Sequence, residues 1–182
     1  MRISFVLLVA LLFFSSCSDL DKTEQQKQVG VLQKTTDSLS LILNKEDLKS
    51  INVEFDLAEE LLNNLAQLLE NDTVSETQAK NIASLTQTLG DFSSLELRFK
   101  ELSDELNQEQ NELKKLSSDI DNGNGKRNKY NSYINFEKDK IKSLNRLINE
   151  FKKLKTEINN RLVNQKKIII NDFYFLKLNQ QQ

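Results

Sequence analysis

The chain has 182 residues, with 25 Lys and Arg against 27 Asp and Glu, four glycines, one cysteine, and no histidine, proline or tryptophan. The missing histidines remove the usual neutral-pH general base and the commonest metal ligand, and a single cysteine leaves no internal disulfide. The net charge of −2 hides a split, with 22 acidic against 10 basic residues over 18–125 and 14 basic against 5 acidic over 126–182.

The first element is apolar. Met1-Arg2 is a short basic start, Ile3 to Phe14 is an unbroken apolar run, and Ser15-Ser16-Cys17 closes it. That order, charge then apolar stretch then small residues, is the order of a secretory signal. The run is shorter than the about 20 residues a bilayer span needs. Phe14-Ser15-Ser16-Cys17 resembles the lipobox of bacterial lipoproteins, with Phe14 in place of the more usual Leu. The resemblance implies a diacylglycerol on the Cys17 sulfur, cleavage before Cys17, and acylation of the new amino group, palmitate being one such chain. Residues 1–16 are then a removed signal and 17–20 a lipidated tether. Ser18, rather than an aspartate, follows the cysteine, which in the enteric sorting rule implies outer-membrane delivery. Asp19 and Asp21 match only thinly the acidic tag that some phyla read for surface export.

Helices follow. Val29, Leu32, Thr36, Leu39 and Leu43 alternate three and four, as do Ile51, Phe55, Ala58, Leu62, Leu65 and Leu69 after a shift of one position. The shift falls at Asn44-Lys45-Glu46-Asp47, either a stutter inside one helix or an Asn-capped restart. We favour one helix near 21–70. Asn71-Asp72-Thr73 turns the chain, and Ser75-Glu76-Thr77-Gln78 reads as a capping box.

A second helix is expected near 75–121. Ile82, Leu85 and Leu89 lead into Phe92, Leu95, Phe99, Leu102, Leu106, Leu113, Leu116 and Ile120, a coiled-coil seam with Glu109 its single polar interruption. Phe92 to Leu95 is three where four is due, and Gly90 beside this stammer marks a bend or break. Asn122-Gly123-Asn124-Gly125 then tolerates the positive φ that reverses a chain.

The third helix, near 127–177, carries the matching seam: Tyr130, Ile134, Ile141, Leu144, Ile148, Phe151, Leu154, Ile158 and Leu162. If position numbers across the turn sum to 250, the seams face each other, Phe99 meeting Phe151 and Leu106 meeting Leu144. Glu137 then opposes Leu113, and Glu109 opposes Ile141. Three helices of about 75 Å each make the expected fold all-α, an elongated antiparallel three-helix coiled-coil bundle over 21–178 with a polar tail at 179–182. A true break near Asn44 makes it a four-helix bundle.

Ile168 to Leu178 is apolar all round. It reads first as the buried end of the last helix, near Val74 and with Ile169 near Ile82. Its second reading is a partner patch of Ile170, Phe173, Tyr174 and Phe175 for a protein or a membrane. A third is an edge strand or an aggregation-prone strip.

The basic residues of the last helix are dispersed along it and face acidic helices, so no nucleic acid is implied. Glu59-Glu60, Asp104-Glu105 and Asp119/Asp121 offer weak cation sites, but solvated helix face is their ordinary role. No Gly-rich phosphate loop occurs. The expectation is a non-enzyme with no cofactor or metal beyond covalent lipid on Cys17 and no small-molecule substrate. It is a membrane-anchored cell-envelope scaffold whose partners are membrane lipid and an envelope protein. The competing reading is a surface-exposed adhesin-like or holdase-type binding module. A murein-type lipoprotein, which ends in lysine, fits Gln180-Gln181-Gln182 poorly.

Overall fold

Apolar side chains recurring at three and four, with no proline to interrupt them, fold the described residues into helices joined by turns. A computed structural model describes the backbone of residues 2–46, 48–69 and 73–179, and the side chains of 21–173 except positions 47, 50 and 70–72. Its elements are α1 (Arg2–Lys45), α2 (Lys49–Leu68), α3 (Glu76–Asn122) and α4 (Tyr130–Asn179), with a 3-10 turn at Arg127–Lys129 before α4. Among the described residues no helix is long and apolar enough to cross a membrane.

The single helix expected near 21–70 is two. α1 ends at Lys45 and α2 begins at Lys49, with Asn44 still inside α1 and Leu48 preceding α2 without a side-chain cap. Helical geometry explains the break. Leu43 and Ile51 are both 1% exposed, yet eight residues of unbroken helix would rotate one about 80° from the other. The break resets the seam. Glu46, at the gap, holds Lys155 at 3.1 Å and Lys152 at 3.4 Å. Burial raises its carboxyl, but the two ammonium groups outweigh burial and hold it below its ordinary value.

α3 starts as its sequence predicts. The Ser75 N–H donates to Gln78 Oε1 at 2.9 Å and the Gln78 N–H donates to Ser75 Oγ at 3.3 Å, a reciprocal capping box. The expected bend or break at Gly90 is not a break: α3 continues through it. At the stammer Thr88, buried at 1%, shares the seam with the buried Leu89, its hydroxyl donating to the Ser84 carbonyl at 3.0 Å.

α3 stops at a Schellman turn. The Asn124 N–H donates to the Asp119 carbonyl at 2.9 Å and the Gly123 N–H to that of Ile120 at 3.4 Å. Gly123 has φ +65, and a Cβ there would collide with the Arg127 guanidinium. Gly123→Ala is therefore expected to cost about 1–2 kcal/mol, read as a lowered urea midpoint at unchanged slope. Tyr130 locks the return by donating to the Asp119 carbonyl at 2.8 Å.

The chain divides into two compact units. The first comprises Met1–Ile42 and Ser103–Leu147. Its core holds Val29, Leu32, Thr36 and Leu39 from α1, Leu106, Leu113, Leu116 and Ile120 from α3, and Tyr130, Ile134, Ile141 and Leu144 from α4. α1 runs antiparallel to α3: Gln26 donates to the Ser117 carbonyl at 2.6 Å and Gln110 to Asp37 at 2.9 Å.

The second unit comprises Leu43–Leu102 and Ile148–Gln182. Ile51, Ala58 and Leu65 from α2 are buried with Leu85, Phe92, Leu95 and Leu102 from α3 and Ile148, Phe151, Ile158, Leu162 and Ile169 from α4. Phe55 and Phe92 meet at 4.8 Å between centroids, and Phe99 and Phe151 at 5.7 Å. Arg161–Asp91 at 2.8 Å, Arg98–Glu150 at 3.6 Å and Gln165–Ser84 at 2.6 Å link α4 to α3. In each of these pairs, as in Phe99–Phe151, the position numbers sum to 250 within two.

Candidate functional site

The most chemically distinctive group among the described residues lies in the first unit, where the α3 seam carries a carboxylate. Glu109 follows Leu106 and precedes Leu113 at seam spacing, so the helix turns it inward, and it is 1% exposed. α4 supplies the counter-charge. Lys140 precedes the buried Ile141, and its ammonium lies 2.6 Å from Glu109 Oε2 and 3.0 Å from Glu137 Oε2. It also donates to the Glu112 carboxylate. The three carboxylates each offer an oxygen within 4.8 Å of the others, and Lys140 sits 5.7 Å from the Phe136 ring centroid.

Three carboxylates share one ammonium here, and Glu109 and Glu112 respond in opposite directions. Burial raises the Glu109 carboxyl, with the Glu137 and Glu112 charges adding to the effect against the pull of Lys140. Glu112, more exposed, is lowered by the hydrogen bond from Lys140 and then by one from Gln108. Burial opposes the charge on Lys140, but the bonds to Glu109, Glu112 and Glu137 outweigh it and push that group up. Glu109 Oε1 has no hydrogen-bond partner among the described residues. A groove of about 210 Å³, lined in part by Glu105, Glu109, Lys140 and Ser143, opens beside the cluster.

Three carboxylate oxygens are a donor set for a hard cation, and the Lys140 ammonium is the cation they hold. The cluster's plain physical effect is on register. Sliding α4 by a heptad along α3 would strand Glu109 as a buried charge with no partner, so the ion group penalises the wrong pairing.

The residues singled out from the sequence fall elsewhere. The side chains of Phe14, Ser15, Ser16, Cys17, Tyr174 and Phe175 lie outside the described residues. Ile170 is 51% exposed, whereas Phe173 is 7% exposed. The two do not share a patch. Ile169 and Phe173 stack four apart on the inward face, and α3 pins that turn: Gln78 donates to the Asp172 carbonyl at 3.2 Å and Asn81 to its carboxylate at 2.7 Å. Glu59, Glu60, Asp104 and Glu105 are exposed, and Asp121 faces Lys22 at 3.8 Å. The ion group formed instead around Lys140, which sequence reasoning passed over. Its signal was present: Glu109 and Glu137 both stand against apolar positions in the 250 register, and Lys140 lies one helical turn from Glu137.

No protein-family model, curated protein or solved structure matches this chain.

Proposed function

We propose that this chain is a lipid-anchored helical scaffold of the bacterial cell envelope, performing no catalysis and presenting helix faces to an envelope protein. In this reading each unit is a three-segment antiparallel coiled-coil bundle, the first from α1, α3 and α4, the second from α2, α3 and α4. The observation that carries the anchor is the basic start, the apolar run and Phe14-Ser15-Ser16-Cys17 in that order. One acyl chain holds a protein weakly and two or more hold it stably, at about 0.8 kcal/mol per buried methylene. Outer-membrane delivery belongs to the same reading.

Metabolic labelling with radioactive palmitate tests it. The full chain is expected to be labelled and to pellet with membranes through a high-salt wash. Cys17→Ser is expected to lose the label and to stay with the signal uncleaved. Label retained in Cys17→Ser, or an unlabelled parent, rejects the anchor.

A second reading, a surface-displayed binding module, draws on Val163, Ile168 and Ile170, exposed at 43%, 45% and 51%. Protease added to intact cells separates the two: rapid loss of the chain supports display, and protection supports an inward-facing scaffold.

A further inference from the structure

The turn between α3 and α4 carries three cations, of which Arg127 lays its guanidinium over Gly123. Lys126, Arg127 and Lys129 are all exposed, and among the described residues none of the three makes an ion pair. Their placement is costly to the helix they precede. α4 has no acidic residue in its first turn, and Arg127 and Lys129 occupy the 3-10 turn before it, where the macrodipole favours negative charge. Tyr133, one turn beyond Lys129, is 43% exposed. Aromatic rings with a polar tip favour the boundary between lipid and water.

The same turn lies beside Lys22 and Gln25 of α1. Lys22 donates to the Asp121 carbonyl at 2.9 Å, and Gln25 donates to Asn131 Oδ1 at 3.0 Å. A concavity of about 340 Å³ between them is lined by Lys22 and Arg127 with Asp21 and Asp121. Asp121 faces Lys22 and is offset by it, so Asp21 and Asp119 are the acids set against the three cations, which still outnumber them. Cys17 precedes Lys22 by five residues, a stretch that spans at most about 18 Å even fully extended. Whatever holds Cys17 at a membrane therefore holds this turn near the same surface.

We infer that the α3–α4 turn is a second membrane contact, in which Lys126, Arg127 and Lys129 dock on an anionic lipid surface. The inference rests on the anchor at Cys17. Each cation near such a surface is worth about fivefold, so the three together shift the docked-to-free ratio of the turn on the order of 100-fold. The attraction fades with salt as the Debye length shrinks from about 10 Å at 0.1 M to about 3 Å at 1 M.

The chain has no tryptophan, so Asn128→Trp in the full lipidated protein gives a single reporter on the exposed turn. The protein is reconstituted on vesicles of phosphatidylcholine alone or with phosphatidylglycerol at about one lipid in three. Flotation with the neutral vesicles reads the anchor, and tryptophan emission with quenching by brominated lipid reads the turn. The expected result is flotation on both vesicles, with blue-shifted, quenched emission on the anionic ones only, reversed by 1 M salt. Adding Lys126→Gln, Arg127→Gln and Lys129→Gln should abolish the shift while flotation and helical circular dichroism persist. Flotation with the same emission on both vesicles, or a shift that survives the three substitutions, overturns the contact and leaves the anchor standing. Failure to float on neutral vesicles overturns the anchor, and the contact with it.

Discussion

Phe151→Ala is expected to lower stability by about 3–5 kcal/mol, the usual cost of emptying a fully buried aromatic site. Phe151 is 0% exposed and its ring lies tilted at 44° against Phe99. Truncation removes the ring's transfer free energy and leaves a cavity lined by helix side chains that cannot close without moving whole helices. Domains hold only about 5–15 kcal/mol in total, so this single change removes a large share. The thermal midpoint should fall by roughly 10 °C, taking about 2–4 °C per kcal/mol at this chain length. Phe151→Leu keeps most of the volume and should cost under about 1.5 kcal/mol. Urea titrations followed by circular dichroism give both numbers. A loss below about 1 kcal/mol for the alanine variant would mean that the second unit does not enclose this ring.

Lys140→Met is the second large effect, and it depends on pH. Removing the ammonium leaves Glu109 buried beside two like charges, and breaking a buried pair in this way costs about 3–5 kcal/mol. Lys140 is 32% exposed and Glu112 39%, so solvent screening reduces the expected loss to about 2–3 kcal/mol at pH 7. The Lys140 value is raised above its ordinary 10.5, so its contribution is complete below pH 10.5 and fades only above it. Glu109 is raised above 4.5. It therefore folds best protonated, and stability is lost as pH climbs from 4.5 through its folded value. Glu112 is lowered, so its share is full above pH 4.5 and is lost on acidification through its folded value. In the variant the Lys140 charge is gone while Glu112 keeps its bond from Gln108, so Glu109 and Glu112 both take up protons more readily. The deficit against the parent should therefore shrink to under about 1 kcal/mol at pH 4. Equal deficits at pH 4 and pH 7 would show that methionine packs badly and that charge is not the cause. Adding Glu109→Leu to Lys140→Met should recover most of the loss, because an apolar pair suits a seam position as well as an ion pair does.

The helices and their inward faces were largely legible in the chain. Val29, Leu39, Ile51, Ala58, Leu106, Leu113, Ile141 and Ile158 stand on seams that spacing alone defines, and all are buried. The pairing of α3 with α4 followed from one turn and two matched seams, because a stripe must meet a stripe at a fixed offset. The break after Lys45 was visible only as a phase shift. Periodicity reports the shift but not whether the backbone absorbs it by winding or by stopping, and Glu46 with Lys152 and Lys155 decides that from another helix. The ion group around Lys140 stayed hidden for a similar reason. A lysine beside a seam reads as solvated until two facing helices place three carboxylates around it. Phe173 was left between a buried helix end and a partner patch because an all-apolar run has no polar face to orient it; its burial fits the first of these. Asp172, bonded to Gln78 and Asn81, supplies the missing orientation.

The partners of α1 lie far along the chain: Gln26 meets a residue 91 positions away, and Lys22 one 99 positions away. Made from its N-terminus at about 5–20 residues per second, the chain has α1 waiting about 5–20 s before the end of α3 exists to receive it. The return from Asp119 to Tyr130 closes over 11 positions and can nucleate at once, since short loops close cheaply. Biogenesis therefore runs backwards along the sequence, the late-made hairpin forming first and the early-made helix docking last. During that wait the apolar stripe of α1 is the part of the newborn chain most in need of a chaperone.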